Sequence, residues 1–132
     1  MSLRLLDTEI WIALARGEPG LAARLQSLDP AHVASCSIVR AELMFGARKS
    51  RRVNENMEGF QRLLAPFVSL AFDDLAAGHY GLVRAALERA GTPVGANNLL
   101  IASIALAHDC LLVTRNSREF ERVVGLRLET WP

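Results

Sequence analysis

The chain has 132 residues, which is enough for one domain with a substantial hydrophobic core and too few for two. Hydrophobic residues make up 51% of it, which excludes a disordered tail. Fifteen Lys and Arg residues against fourteen Asp and Glu residues leave a formal charge of +1, so any surface that binds nucleic acid must be local. We expect a single domain over residues 1–132.

The first predicted elements are a short strand and a helix that meet at an acidic residue. The apolar run Leu3–Leu6 is typical of a strand in a covered parallel sheet. Asp7 or Thr8 can cap the helix that follows, from Glu9 to about Ala15. Asp7 is therefore either only a helix cap or part of a metal or phosphate site at the edge of the sheet.

The N-terminal stretch and the two cysteines indicate the cellular compartment of the protein. Asp7 and Glu9 interrupt the only apolar stretch near the N-terminus, which argues against a signal peptide or a membrane span. Cys36 and Cys110 each lie in a strand-like apolar run, where a buried free thiol is the common outcome. We expect a cytoplasmic protein without disulfides.

The next segment predicts a helix over Gly20–Leu28, a strand over Val33–Cys36 and a helix over Ile38–Lys49 that Ser37 caps. Helical spacing places Glu42 on one face with apolar neighbours, which are Ile38, Ala41 and Phe45. A carboxylate in an apolar stripe is rare unless it is paired or binds a ligand. Glu42 is therefore either salt-bridged to an arginine or a carboxylate of a functional site.

A dense basic run ends this helix, formed by Arg48, Lys49, Arg51 and Arg52. Such a run is more often a solvated helix end than a binding patch, although it would also suit phosphates.

The middle of the chain predicts a helix over 54–66 with a core face, a strand over Val68–Phe72 and a long helix to Ala90. Asp73 or Asp74 should cap the long helix, and Gly91 should end it.

The last third contains the most apolar helix, Leu99–Ala107, which should be buried on most sides. Asn97 or Asn98 is a plausible N-cap for it. A buried strand over Cys110–Thr114, a short helix over 117–122 and an edge strand over 126–129 follow, and Trp131 should close the core. The alternation of strands and helices predicts a three-layer α/β fold with a mostly parallel sheet flanked by helices.

Acidic and amide residues follow the strands or begin the helices at four distant points, namely Asp7, Glu42, Asn98 and Glu119. In open α/β sheets such groups gather at the carboxyl ends of the strands. Their oxygen-only chemistry suits Mg²⁺ or Mn²⁺ rather than zinc. Carboxylates that hold Mg²⁺ beside a phosphodiester permit its hydrolysis.

Four segments resemble, in order and over nearly the whole chain, the PIN-domain ribonuclease toxins of VapC-type toxin–antitoxin pairs. They are LLDTEIW, VRAELMFGARK, GTPVGANNLLIASIALA and LLVTRNSREFERVVGLRLETW. The resemblance implies a PIN fold, Mg²⁺-dependent cleavage of structured RNA such as tRNA, and inhibition by a VapB-like antitoxin whose C-terminal arm occupies the site. It also implies a homodimer or a toxin–antitoxin hetero-oligomer.

The same resemblance assigns roles to residues. Asp7, Glu42 and Glu119 match the acids of the metal site, and Thr114 and Asn116 match polar positions that line it. Asn98 departs from the pattern, because the family has aspartate there. Loss of one charge near a divalent ion should lower metal affinity by about a hundredfold, so the resemblance implies a weakened or inactive enzyme.

Two other classes stay open at the level of sequence. A PIN-like protein that binds RNA or antitoxin without cutting is favoured by Asn98. An aspartyl-phosphate phosphatase would use Asp7 as nucleophile, but that chemistry normally needs a second aspartate two residues later, where this chain has Glu9.

Overall fold

The computed structural model describes residues 2–132. The strands are β1 (Arg4–Leu6), β2 (Val33–Cys36), β3 (Val68–Leu70), β4 (Leu111–Thr114) and β5 (Arg127–Thr130). The helices are α1 (Thr8–Ala15), α2 (Pro19–Gln26), α3 (Ser37–Lys49), α4 (Val53–Leu64), α5 (Asp74–Ala90) and α6 (Ala96–Ala107). Single 3₁₀ turns occupy Pro30–His32 and Phe120–Arg122.

The five strands form one sheet in the order β3-β2-β1-β4-β5, and every neighbouring pair is parallel. The chain moves outward from β1 to β3 and then crosses back to β4 on the other side of β1. Because crossovers between parallel strands are right-handed, this reversal places α1–α4 on one face and α5–α6 on the other. The predicted three-layer α/β fold is confirmed.

The core lies where the central strands meet the two helical layers. Leu5, Leu112 and Ile104 have no exposed surface, and α6 is buried nearly all round, as its composition predicts. Trp131 is 3% exposed and closes the core at the end of the chain. Cys36 and Cys110 are buried free thiols, which confirms that prediction.

Two of the predicted helix caps are wrong. Helix α6 begins at Ala96 with Gly95 as N-cap, so Asn97 and Asn98 lie in its first turn and cap nothing. Helix α3 begins at Ser37 itself, whose hydroxyl accepts a hydrogen bond from the Phe72 N–H instead of capping the helix. Both helices begin earlier than the positions of the polar residues suggest. The N-terminus of α6 is set by the glycine turn before it, and that of α3 by the end of the strand before it.

The predicted apolar face of α3 is also wrong. The buried side chains are Val39, Leu43 and Ala47, one position away from the predicted stripe. Phe45 is 64% exposed, and Ala41 is exposed as well. Helical spacing alone is compatible with two apolar faces on this helix. Packing against the sheet buries the face with Val39, Leu43 and Ala47, which is not the predicted one.

The remaining differences concern element ends. Strand β3 stops at Leu70 rather than Phe72, and the helix predicted over 117–122 shortens to a single 3₁₀ turn. Asp73 and Gly91 bound α5 as predicted. Within residues 2–132, none of the helices has the length and apolar character needed to cross a membrane.

Candidate active site

The carboxyl ends of β1 and β4 lie side by side at the point where the strand order reverses. Leu6 pairs with Val113, and the Asp7 N–H extends the ladder by donating to the Val113 carbonyl at 2.8 Å. Asp7 and Thr114 therefore lie next to each other at the edge of the sheet, although 107 residues separate them in the chain. Ligands of open α/β sheets bind at such a reversal.

Asp7 is held by hydrogen bonds to both carboxylate oxygens. Its Oδ1 accepts from the Thr8 N–H at 2.8 Å, and its Oδ2 accepts from the Thr114 hydroxyl at 3.0 Å. The residue is 7% exposed. Burial raises the pKa of Asp7, the two hydrogen bonds oppose that rise, and the charges of Glu42 and Glu9 add to it. Asp7 is thus both the N-cap of α1 and a buried carboxylate that lacks a cationic partner among residues 2–132.

Glu42 reaches the same edge from α3. Its Oε1 accepts a 2.6 Å hydrogen bond from the Thr8 hydroxyl, and its Oε2 accepts a longer one of 3.4 Å from the Asn97 side-chain amide. The salt bridge to an arginine, which the sequence left open, is not formed by Glu42 in the described part of the chain. The salt-bridge interpretation is therefore wrong for the described residues, and the role of Glu42 as a site carboxylate stays a prediction.

Glu119 approaches from the loop after β4 and faces the N-terminus of α6. Its Oε1 accepts from the Gly95 N–H and, at 3.4 Å, from the Asn98 side-chain amide. A Cβ added at Gly95 would lie 3.1 Å from that oxygen, so glycine gives the carboxylate room to reach the helix end. The positive end of α6 and two N–H donors thus stabilise the Glu119 charge.

These residues line one open cleft of about 310 Å³. The lining residues are Asp7, Thr8, Glu9, Ile12, Glu42, Asn98, Thr114, Asn116, Glu119 and Phe120. Asn116 is fixed at its rim, where its backbone N–H donates to the Thr114 hydroxyl and its side-chain oxygen accepts from the Arg118 N–H. Four of the lining residues carry carboxylates, and no Lys, Arg or His from the described chain lines the cleft.

This charge distribution fits a divalent cation. A cleft with four carboxylates and no cationic side chain to balance them favours binding of a positive ion, and oxygen ligands favour Mg²⁺ or Mn²⁺. Within residues 2–132, however, no three His, Cys, Asp or Glu side chains lie close enough together to hold an ion between them. The Asn98 side-chain amide donates a hydrogen bond to Glu119, which a carboxylate at this position could not do.

The structure brings all six predicted site residues into the cleft: Asp7, Glu42, Asn98, Thr114, Asn116 and Glu119. Sequence reasoning missed Thr8 as the residue that contacts both Asp7 and Glu42, because it treated Thr8 only as a cap. It also missed the contact of Asn97 with Glu42. The adjacency of Thr8 to Asp7 was the one signal in the sequence that could have indicated the first of these.

Comparison with known proteins places the chain in a family. The model of the PIN domain matches residues 4–126. The chain is 36% identical over 127 residues to the tRNA(fMet)-specific endonuclease VapC of Shigella flexneri, with 96% of each chain covered. A solved structure of VapBC from Salmonella typhimurium bound to DNA superimposes with a TM-score of 0.94 at 35% identity, with both chains fully covered. That of VapBC2 from Rickettsia felis, bound to a promoter DNA fragment, gives 0.93 at 33% identity and covers 98% of this chain and 99% of the other. The chain therefore belongs to the PIN-domain family, among the VapC ribonucleases.

Proposed function

We propose that this protein is a metal-dependent endoribonuclease toxin of a type II toxin–antitoxin pair, which cuts tRNA or another structured RNA in the cytoplasm. The observation that carries the proposal is the acidic cleft at the strand reversal, where Asp7, Glu42 and Glu119 converge from three distant segments. Relatives are named VapC nucleases, two of them specific for tRNA(fMet), which supports the reaction class and the substrate.

Mg²⁺, with Mn²⁺ as a substitute, would draw Asp7, Glu42 and Glu119 together as ligands, because these carboxylates as placed lie too far apart to hold an ion between them. The side-chain oxygen of Asn98 would be a neutral fourth ligand. When bound, the ion would supply positive charge against the phosphate and lower the pKa of the attacking water. Asp7 is the fixed member of the set because Thr8 and Thr114 hold both of its oxygens. Glu42 and Glu119 lie nearer to solvent, so their carboxylates can accept the proton that the attacking water loses. Asn116 would position the RNA at the rim, and Thr114, which is 1% exposed, would contribute by holding Asp7 and the Asn116 backbone in place.

Asn98 should weaken this enzyme. Its side chain lacks the negative charge of the aspartate that the resemblance places there, and its amide donates a hydrogen bond to Glu119. We expect affinity for a divalent ion to be about a hundredfold lower than with aspartate. A non-catalytic PIN protein that only binds RNA or antitoxin is the second candidate function, and the same amide contact is the observation in its favour.

A VapB-like antitoxin would inhibit the protein by occupying the cleft. A second groove of about 320 Å³ adjoins the cleft and shares Ile12 and Glu42 with it, with Arg16, Gly46 and Phe60 among the rest of its lining. A peptide arm from the antitoxin could run along this partly apolar groove and end at the carboxylates. The solved VapBC complexes of similar chains support such a partner.

The decisive experiment compares the chain with its Asn98→Asp variant, each purified free of antitoxin, on a pool of tRNAs with and without Mg²⁺. We expect the aspartate variant to cut and the parent chain to cut far more slowly, and the cleaved tRNA then identifies the substrate. Asp7→Asn in the Asn98→Asp background should abolish cleavage. If neither protein cuts while both bind RNA or a VapB peptide, the non-catalytic function replaces the proposed one.

A further inference from the structure

The cleft is acidic, yet a ribonuclease has to attract a polyanion. Its lining carries four carboxylates and, among the described residues, no cationic side chain. The net charge of the whole chain is only +1, so attraction of RNA has to come from a local group of cations.

Helix α3 connects the cleft to such a group. Glu42 lies on it at the cleft, and the helix ends at Arg48 and Lys49, about 10 Å further along at the usual rise per residue. Arg48, Lys49 and Arg51 are all exposed. None of the three forms a salt bridge within residues 2–132, so their charges are not neutralised by the protein.

Phe45 lies between the carboxylate and these cations. It follows Glu42 by three residues on the same helix, which makes the two side chains neighbours on the helix surface. Phe45 is 64% exposed, and the Lys49 ammonium lies over one face of its ring, 5.3 Å from the ring centroid, which leaves the other face for a base. An exposed aromatic ring with a cation beside it is the combination on which unpaired bases stack while the neighbouring phosphates are neutralised.

We propose that Phe45 and Lys49 form a stacking platform for the RNA substrate, with a base next to the scissile phosphate on the Phe45 ring and a flanking phosphate at Lys49. The inference rests on the proposed function, since the occupant is the RNA that the cleft would cut. It makes Phe45 a substrate-binding residue that selects an unstacked, single-stranded segment at the cut site.

A second copy of the chain fits this surface less well than RNA does. In a twofold dimer the same patch meets itself, so Arg48, Lys49 and Arg51 of one copy would face the same cations of the other. RNA instead brings negative charge to the cations and a flat ring to Phe45. The charge around the ring therefore favours a nucleic acid as the occupant.

The test measures binding of a fluorescein-labelled single-stranded RNA 12-mer of random sequence by anisotropy, in Mg²⁺ and over a series of NaCl concentrations. The variants are Phe45→Ala, Phe45→Trp and Lys49→Gln. Val68→Ala is the matched control, because Val68 is also about half-exposed and apolar but lies on the edge strand β3 rather than on α3. Gels before and after each titration show that the RNA stays intact, and light scattering gives the mass of each variant.

We expect Phe45→Ala to weaken binding about tenfold and to leave the dependence of affinity on salt unchanged, since it removes stacking and no charge. Lys49→Gln should reduce the slope of log affinity against log salt by about 0.7, because one phosphate contact is lost. Phe45→Trp should bind like the parent and lose indole fluorescence with RNA, against a constant background from the buried Trp11 and Trp131. Val68→Ala should match the parent.

Equal affinity of Phe45→Ala and the parent would overturn the platform. So would a loss of affinity that accompanies a change of mass in light scattering, because Phe45 would then be a contact between subunits. If the parent chain binds no RNA at all, and its Asn98→Asp variant neither binds nor cuts it, the proposed function fails together with the platform. If RNA is bound or cut normally and Phe45→Ala is neutral, only the platform fails.

Discussion

Thr8 contacts both carboxylates at the centre of the candidate site. Its backbone N–H donates to Asp7 and its hydroxyl donates to Glu42 at 2.6 Å. The side chain is nearly buried, so water does not easily replace that hydroxyl. At the scale of single residues, the position of Glu42 therefore depends on a neighbour that carries no charge.

Thr8→Val tests this dependence, because valine keeps the shape of threonine and removes only the donor. In the Asn98→Asp background we expect affinity for Mn²⁺, measured by titration calorimetry, to fall about tenfold, which is typical when the support of a metal ligand is lost. Thr8→Ser retains the hydroxyl and should bind the ion as the parent does. Unchanged affinity of the valine variant would show that Glu42 needs no help from Thr8.

At the scale of elements, helix ends decide where functional groups lie. Helix α6 begins at Ala96, and the N–H of its N-cap, Gly95, donates to Glu119, while α5 has Gly91 as its C-cap in the left-handed conformation with φ of +71°. The Gly91 turn reverses the chain so that α6 can pack against α5 and point its N-terminus at the cleft. Only glycine adopts this conformation without strain.

Gly91→Ala should lower the free energy of unfolding by about 1 kcal/mol, because the added Cβ is strained at positive φ. Urea denaturation followed by circular dichroism measures the change. Gly81→Ala, in the interior of α5 with no heavy atom within 4 Å of the added Cβ, is the matched control and should stabilise the protein by about 0.5 to 1 kcal/mol. Two changes of the same sign would contradict the assignment of the Gly91 effect to backbone conformation.

At the scale of the whole molecule, a polar contact spans the sheet from β1 to β5. Arg4 donates two hydrogen bonds to Glu129, at 3.1 and 3.2 Å, across the intervening strand β4. The Trp131 indole N–H donates to the same carboxylate at 2.7 Å. The pair is partly exposed, with 22% of the Arg4 side chain and 31% of the Glu129 side chain accessible. It ties the last strand and the closing tryptophan to the centre of the fold.

The hydrogen bonds from Arg4 lower the pKa of Glu129 below its ordinary value of 4.5, with a further contribution from Trp131, while burial opposes the shift. A carboxyl whose pKa is lower in the folded state stabilises the fold above its unfolded pKa, and this stabilisation is lost as pH falls through the folded pKa. Glu129→Gln should therefore be less stable than the parent by about 1 kcal/mol near neutral pH. The difference should shrink as the medium is acidified below 4.5, the pKa of the free carboxyl.

Urea denaturation of both proteins across that pH range measures the effect. A difference that stays constant down to the acid limit would contradict the ionic origin of the stabilisation and point to packing instead.

The fold was largely readable from the sequence, because the apolar runs alternate with helical patterns and glycine, proline and aspartate mark the turns. The all-round apolar character of α6 predicted its burial, and the caps Asp73 and Gly91 bounded α5 as expected. The buried face of α3 was predicted wrongly, because two helical faces carry apolar side chains and only contact with the sheet selects between them.

The sequence by itself also determined which residues could form the site, since carboxylates and amides that follow strands in a parallel sheet meet at one edge. Only the tertiary structure decided how they are held: Thr8 between Asp7 and Glu42, the amides of Asn97 and Asn98 on the two glutamates, and Gly95 against Glu119. It likewise decided that Phe45 faces solvent beside Lys49. Apart from those of Thr8 with Asp7 and of Phe45 with Lys49, these contacts join residues 21 to 55 positions apart. They depend on the order of the strands and the packing of the helices, which local sequence patterns do not encode.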